Sequence, residues 1–309
     1  MAIKLKDLAK TQSRLASGHG ACAGCAAPVI LKQVLYAAGE NVVVSFATGC
    51  MEVVTTIFPH TAWRVPYIHN AFENSAATMS GVEAAYRSLK RQGKVDKDIN
   101  FIAFGGDGGT YDIGFQSLSG MLERGHNILY VCYDNEAYMN TGIQRSSATP
   151  LGAETNTARA GKVKAGKEQH RKDITAIALA HGIPYVAQAS PHNFRDLMGK
   201  VEKAMSIQGP KFMVVLSSCH VGWRFDMEDS IKMCELATET CFWPLHEYEN
   251  GKLKINYKPK EKLPITEWIK PQGRFKHLFE PRNEHIIEEL QAQVDRKWEE
   301  LLAKENTAK

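Results

Sequence analysis

Apolar, β-branched runs recur along the chain at 41–46 (NVVVSF), 99–104 (INFIAF), 127–133 (NILYVCY), 183–188 (IPYVAQ) and 211–216 (KFMVVL). None alternates polar with apolar positions, the mark of strands buried on both faces. Between them lie stretches with helical spacing: PVILKQVLYAAG from Pro28, AATMSGVEAAYRSLKRQG to Gly93, IGFQSLSGMLERG to Gly125, DITAIALAHG to Gly182 and NFRDLMGKVEKAMSIQG to Gly209. Each closes on glycine, which readily takes the left-handed conformation that ends a helix. The alternation predicts an α/β fold, a doubly wound, mainly parallel sheet over residues 20 to about 225.

Two regions break the rhythm. Residues 140–171 are polar and aperiodic, and loops of that length in a compact domain are usually functional or mobile. After Trp243 come INYKPKEKLPITEWIKPQGRF and a charged helical stretch, NEHIIEELQAQVDRKWEELLAKE. The expected division is a cofactor-binding domain over 1–240 and a C-terminal arm and helix over 241–309 that contacts the body or another subunit.

Composition narrows the function classes. With 44% hydrophobic residues, the 309-residue chain has enough apolar material for a large core. Its net charge of +4 is spread without basic blocks, which disfavours nucleic acid as a partner. No stretch approaches the roughly 20 apolar residues of a membrane span, and no secretory signal is visible, so a soluble, cytoplasmic protein is expected. Seven cysteines (22, 25, 50, 132, 219, 234 and 241) without such a signal favour metal ligation or plain burial over disulfides.

In an open parallel sheet, ligands gather at the carboxyl ends of the strands. Asp107 lies there in GGDGGTYD (105–112), and Asn135 lies at the end of the next strand run. If those strands are neighbours, the two side chains face one spot, and their oxygens suit a hard cation such as magnesium, which commonly bridges to phosphate. Glycines 105, 106, 108 and 109 would let backbone amides approach a diphosphate, and the helix start that follows favours an anion. Alone, Gly-Asp-Gly is more simply a tight turn. The helix, buried strand and asparagine that follow at set spacing resemble the thiamine diphosphate fingerprint, whose third metal ligand is a backbone carbonyl, here that of Ala137.

Cys22 and Cys25 form a C-x-x-C just before the helix that Pro28 opens, Cys50 follows the first strand run, and Cys219 follows the last. Cys50 and Cys219 are thus expected at the sheet edge shared with Asp107 and Asn135, where the four thiolates can converge. Four converging thiolates suit zinc or a 4Fe-4S cluster, and the ligand count does not separate the two. Cys132, inside a strand run, is expected in the core, and Cys234 and Cys241 are expected to be unligated.

Taken in order, HGACAGCAAP, TGCMEV, GGDGGTYDIGF, YDNEAYMNTGIQRSSATPLGA and SSCHVGWR closely resemble the β subunits of pyruvate:ferredoxin oxidoreductase and its 2-oxoacid relatives, over about residues 15–245. The resemblance implies the diphosphate-binding half of a thiamine diphosphate-binding fold, with one 4Fe-4S cluster near the thiazolium ring. It assigns the cluster to Cys22, Cys25, Cys50 and Cys219, and magnesium to Asp107, Asn135 and the carbonyl of Ala137. Asn140, Thr141 and Gly142 match the segment that closes over the diphosphate, Gly49, Gly106 and Gly108 suit close backbone approach, and Thr48 and Gln144 are further candidates. One departure is SSCHVGW, where Ser218 and His220 flank Cys219 in place of the family's prolines. His220 is expected at the surface or behind the ligands.

The implied chemistry is oxidative decarboxylation of a 2-oxo acid, with electrons passed through the cluster to ferredoxin and the acyl group usually to coenzyme A. Pyruvate is the leading substrate; oxalate, 2-oxoglutarate and branched-chain 2-oxo acids are alternatives. The glutamate that activates the cofactor belongs, in this family, to the partner α subunit, with γ and ferredoxin-like δ subunits or fused equivalents completing the complex. Glu52 and Glu73 are local candidates with simpler structural readings. A non-redox thiamine diphosphate lyase or carboligase and a zinc-stapled module are the competing classes.

Overall fold

A computed structural model describes residues 5–307. The predicted runs become β1 (Val42–Ala47), β3 (Asn100–Gly106), β4 (Ile128–Asp134), β5 (Tyr185–Ala189) and β6 (Lys211–Leu216). The short β2 (Tyr67–Asn70) adds one edge, and the hairpin of β7 (His246–Glu249) and β8 (Lys252–Ile255) adds the other. The sheet has eight strands in the order β2-β1-β3-β4-β6-β5-β7-β8. It is parallel from β2 through β5, and β7 and β8 run antiparallel.

Every residue of β4 and β6 is buried, as continuous apolar runs require when both faces are covered. Alternate residues serve opposite faces. Phe101 and Ala103 of β3 join Leu118, Met121 and Ile174 on one side, while Ile102 and Phe104 join Ile30, Leu31, Val34 and Leu197 on the other.

In chain order the longer helices are α1 (Ala27–Ala37), α2 (Cys50–Thr55), α3 (Ser75–Arg91), α4 (Phe115–Glu123), α5 (Ile174–Leu179), α6 (Phe194–Ser206), α7 (Ser230–Glu239) and α8 (Glu284–Thr307), and all but α2 and α7 form where the periodicity places them. The glycine stops hold: Gly39, Gly93, Gly125, Gly182 and Gly209, which follow the five predicted helices, all have positive φ.

The segment after Trp243 packs on the body. Ile265, Trp268, Phe275, Leu290 and Val294 belong to the same apolar cluster as Tyr130 and Phe212. Polar ties fix α8: Glu305 accepts from the amide of Ile255 at 2.7 Å and pairs with Lys258 at 2.6 Å, and Gln291 accepts from the amide of Ile265 at 2.8 Å.

The register brings the predicted site together. Gly106 is level with Tyr133, so Asp107 leaves β3 beside the end of β4, where Asp134 is level with Leu216 of β6. Cys50 follows β1 and Cys219 follows β6 at the same edge.

Candidate active site

Asp107 is 1% exposed and caps a π-helical turn, Gly108–Asp112, that leads into α4. Ser146 donates to its Oδ2 at 2.5 Å. Burial, together with the carboxylate of Asp134, pushes the Asp107 carboxyl above the ordinary carboxylate range, and the Ser146 hydrogen bond opposes the rise. A carboxylate so placed is a poor anion until a cation joins it.

The side-chain amide of Asn135 stands 2.8 Å from Asp107 Oδ1 and 2.8 Å from the carbonyl oxygen of Ala137. Turned one way, its NH2 donates to both. Turned the other, three oxygens face one another, and a cation is what reconciles them. Adjacent ligands of an octahedral magnesium ion at 2.0–2.1 Å lie about 2.9 Å apart, so this donor set fits the ion closely.

The three groups lie in a cleft walled by Gly49, Cys50, Phe72, Gly106, Gly108, Gly109, Tyr133, Tyr138, Met139, Asn140 and Thr141. Thr48 and Gly142 flank it: the Thr48 hydroxyl donates to the Asn70 carbonyl at 2.7 Å, and Gly142 occupies a positive-φ turn. Gln144 is engaged with Thr141, which donates to its Oε1 at 2.6 Å.

The glycines have a second physical reason beyond approach to a diphosphate. A Cβ on Gly108 would stand 2.4 Å from the Tyr138 ring, and one on Gly105 2.3 Å from the Tyr130 hydroxyl. Both make room for aromatic side chains of the protein itself. Gly106 and Gly109 have more space and line the cleft directly.

The cysteines form a looser group. Cys22 is exposed, Cys25, Cys50 and Cys219 are half-buried, Cys132 is buried as expected, and Cys234 and Cys241 are buried too. Burial pushes Cys25 up to about 12, with Cys219 and Cys22 adding to the rise. Cys50 is likewise pushed up to about 12 by burial, and then by Cys219, Cys25, Cys22 and Asp107. Cys219 is also raised by burial, against the pull of the Gly222 and Val221 amides. These mutual influences put the four sulfurs within electrostatic reach of one another, and Cys50 within reach of Asp107. Even so, among the described residues no three His, Cys, Asp or Glu side chains stand close enough to enclose a metal ion. The thiol set suits a cluster by chemistry and shared edge, but it must draw together to bind one.

Neither local glutamate addresses the cleft. Glu52 is buried on α2 against His69 and Thr56, and Glu73 is exposed. Ser218 is buried and donates to the Ser230 carbonyl at 2.8 Å, while His220 lies half-buried against Phe225.

A larger cavity, about 390 Å³, lies between α5, Cys241–Pro244 and α8. None of the predicted ligands lines it. The predicted metal ligands Asp107, Asn135 and Ala137 all line the smaller cleft instead.

Residues 47–215 match the family described as thiamine pyrophosphate enzyme, C-terminal TPP binding domain. The chain belongs to this thiamine pyrophosphate enzyme family. It is 51% identical to pyruvate synthase subunit PorB of Thermotoga maritima, with 100% of this chain and 98% of that protein covered. It is 54% identical to the PorB subunit of Methanocaldococcus jannaschii over 91% of this chain and 94% of that one. Subunit VorB of the ketoisovalerate oxidoreductase of Pyrococcus abyssi is 44% identical, with 92% and 91% covered. Within the thiamine pyrophosphate enzymes the chain is thus a β-type subunit of a 2-oxoacid oxidoreductase, as its motifs indicated. A solved 2-oxoglutarate:ferredoxin oxidoreductase from Magnetococcus marinus shares the fold, with a TM-score of 0.57, 19% identity, and 75% of this chain and 80% of that chain covered.

Sequence reasoning missed several residues of this site. Ser146 reaches Asp107 from the 140–171 loop, whose polarity was the signal available. Glu136, lying between two predicted ligands, is buried and bonded to Arg171 and Arg274. Trp223 donates to the Asn135 carbonyl at 2.8 Å. No helix among the described residues is long and apolar enough to cross a membrane.

Proposed function

We propose that this chain is the cofactor-bearing subunit of a pyruvate:ferredoxin oxidoreductase, holding magnesium and thiamine diphosphate in the Asp107–Asn135 cleft and a 4Fe-4S cluster on Cys22, Cys25, Cys50 and Cys219. The observation that carries it is the meeting of Asp107, Asn135 and the Ala137 carbonyl within 2.8 Å contacts, beside Cys50. Pyruvate leads because the relatives at 51% and 54% identity are pyruvate synthase subunits, against 44% for the ketoisovalerate enzyme.

When bound, thiamine diphosphate supplies an electron sink for decarboxylation of a 2-oxo acid and the cluster a one-electron path toward ferredoxin. The protein's part is placement. Asp107, Asn135 and Ala137 hold the cation that neutralises the diphosphate. Gly106 and Gly109 admit it against the backbone, and Asn140 and Thr141 border it. Burial raises the thiols of Cys25 and Cys50, so binding iron there would displace their protons.

Neither local candidate lines the cleft, Glu52 being tied to His69 and Glu73 exposed, so the activating glutamate is assigned elsewhere. A partner α subunit completes the site, γ and δ subunits or their fused equivalents carry electrons onward, and the C-terminal arm is a subunit contact. Coenzyme A is the acyl acceptor.

The test is metal analysis of the complex purified without oxygen, with a panel of 2-oxo acids read by ferredoxin or viologen reduction. Iron and acid-labile sulfide in equal amounts and preference for pyruvate are expected. Zinc without iron overturns the cluster, and decarboxylation by the isolated chain overturns the need for an α subunit.

A further inference from the structure

The turn that carries two of the three metal ligands is held from behind by a segment distant in sequence. Glu136 stands between Asn135 and Ala137 with φ at +67°, in the left-handed region that a residue with a long side chain rarely adopts. Something must hold it there, and each of its polar groups is engaged. Its amide donates to Asp134 Oδ1 at 3.0 Å and its carbonyl accepts from Thr149 at 2.6 Å. Its carboxylate, with no exposure to solvent, accepts from Arg171 at 3.1 Å and from Arg274 at 2.6 Å.

Arg274 is as completely enclosed as its partner. It is 2% exposed, its Nε donates to Gln272 at 2.8 Å, and its guanidinium lies 4.1 Å from the Trp223 ring centroid. Trp223 in turn donates through its indole to the Asn135 carbonyl. Arg274 and Trp223 thus grip both the side chain and the backbone of the ligand turn. Both lie beyond the matched family region, which ends at residue 215.

We infer that Glu136 and Arg274 are positioning residues for the metal site: their buried pair fixes the left-handed turn that aims the Asn135 amide and the Ala137 carbonyl at Asp107. A turn that relaxed to φ near −60° would swing both ligands away from the third. Outer partners of metal ligands act in this way, by fixing orientation rather than by touching the ion. The inference rests on the magnesium reading of the cleft.

The test uses the assembled complex stripped of cofactor, with thiamine diphosphate binding measured by calorimetry across a magnesium titration. Glu136→Gln and Arg274→Met should raise the magnesium concentration for half-maximal binding roughly ten- to a hundredfold, and excess magnesium should restore binding. Arg274→Lys keeps the charge and loses the fork, so its shift should be smaller; it carries the test if Arg274→Met does not assemble. Leu253→Ala, a buried β8 residue far from the turn, is the control for general destabilisation, and its magnesium dependence should stay as in the parent. Parent-like titrations for Glu136→Gln and the Arg274 variants, or an equal shift in Leu253→Ala, overturn the inference and leave the magnesium reading standing. Magnesium-independent binding in the parent overturns both.

Discussion

The metal turn and the cysteine edge lie side by side at the carboxyl end of one sheet, yet they are built in opposite ways. Asp107, Asn135 and Ala137 are buried and already within 2.8 Å contacts, with Ser146, Trp223, Glu136 and Arg274 securing them from outside. The cysteines range from exposed to half-buried, burial raises the thiols of Cys25, Cys50 and Cys219, and the four do not close around a point. One site is organised by the polypeptide in advance. On the proposed reading the other would leave its final organisation to the cluster, as metal sites without preformed geometry do.

The largest expected effect that would break this contrast comes from the preorganised side. Asp107→Ala should abolish thiamine diphosphate binding, by at least about a hundredfold in affinity, while leaving iron content near that of the parent. Calorimetry and iron assay on the same sample check it, and joint loss of both would mean that the two sites are one unit. Next, a magnesium chelator should release thiamine diphosphate and spare the brown colour, whereas air should bleach the colour and spare thiamine diphosphate binding. Cross-loss in either treatment, read by absorbance and bound cofactor, would sink the separation.

A smaller effect is expected from Gly108→Ala, whose Cβ meets the Tyr138 ring at 2.4 Å. Overpacking of this kind costs about 1–3 kcal/mol, measurable by denaturant unfolding. No loss of stability would mean that Tyr138 is free to move aside. The smallest is Trp223→Phe, which removes one hydrogen bond to the Asn135 carbonyl, worth about 0.5–1.5 kcal/mol. Because Trp223 lies four residues after Cys219, this variant should also perturb the low-temperature EPR signal of the reduced cluster. An unchanged signal with weaker magnesium dependence would confine Trp223 to the metal turn.

The strands and most of the helices were legible because buried parallel strands are apolar throughout and the five predicted helices between them end on glycine. The β7–β8 hairpin was also written in the sequence, since Asn250 and Gly251 both take positive φ at its turn, the Asn-Gly signal of a type I′ hairpin. The charged stretch that follows obscures it, so that His246–Ile255 reads as part of the arm. The β2 edge strand left little to read, being four residues long and partly exposed. Of the cleft, Asp107 and Asn135 were readable because strand ends gather in an open sheet. Ser146 and Arg274 were not, for no local pattern announces a contact formed across a loop or across most of the chain.

That last contact has a consequence in time. Arg274 follows Glu136 by 138 residues, and at translation rates of roughly 5–20 residues per second it leaves the ribosome some 7 to 28 seconds later. Throughout that interval the nascent chain already contains Asp107, Asn135 and Ala137 but lacks the guanidinium that locks their turn. If Arg274 positions the turn as inferred, the cleft takes its final form only after residue 274 has emerged, so cofactor capture would follow the synthesis of the ligands rather than accompany it.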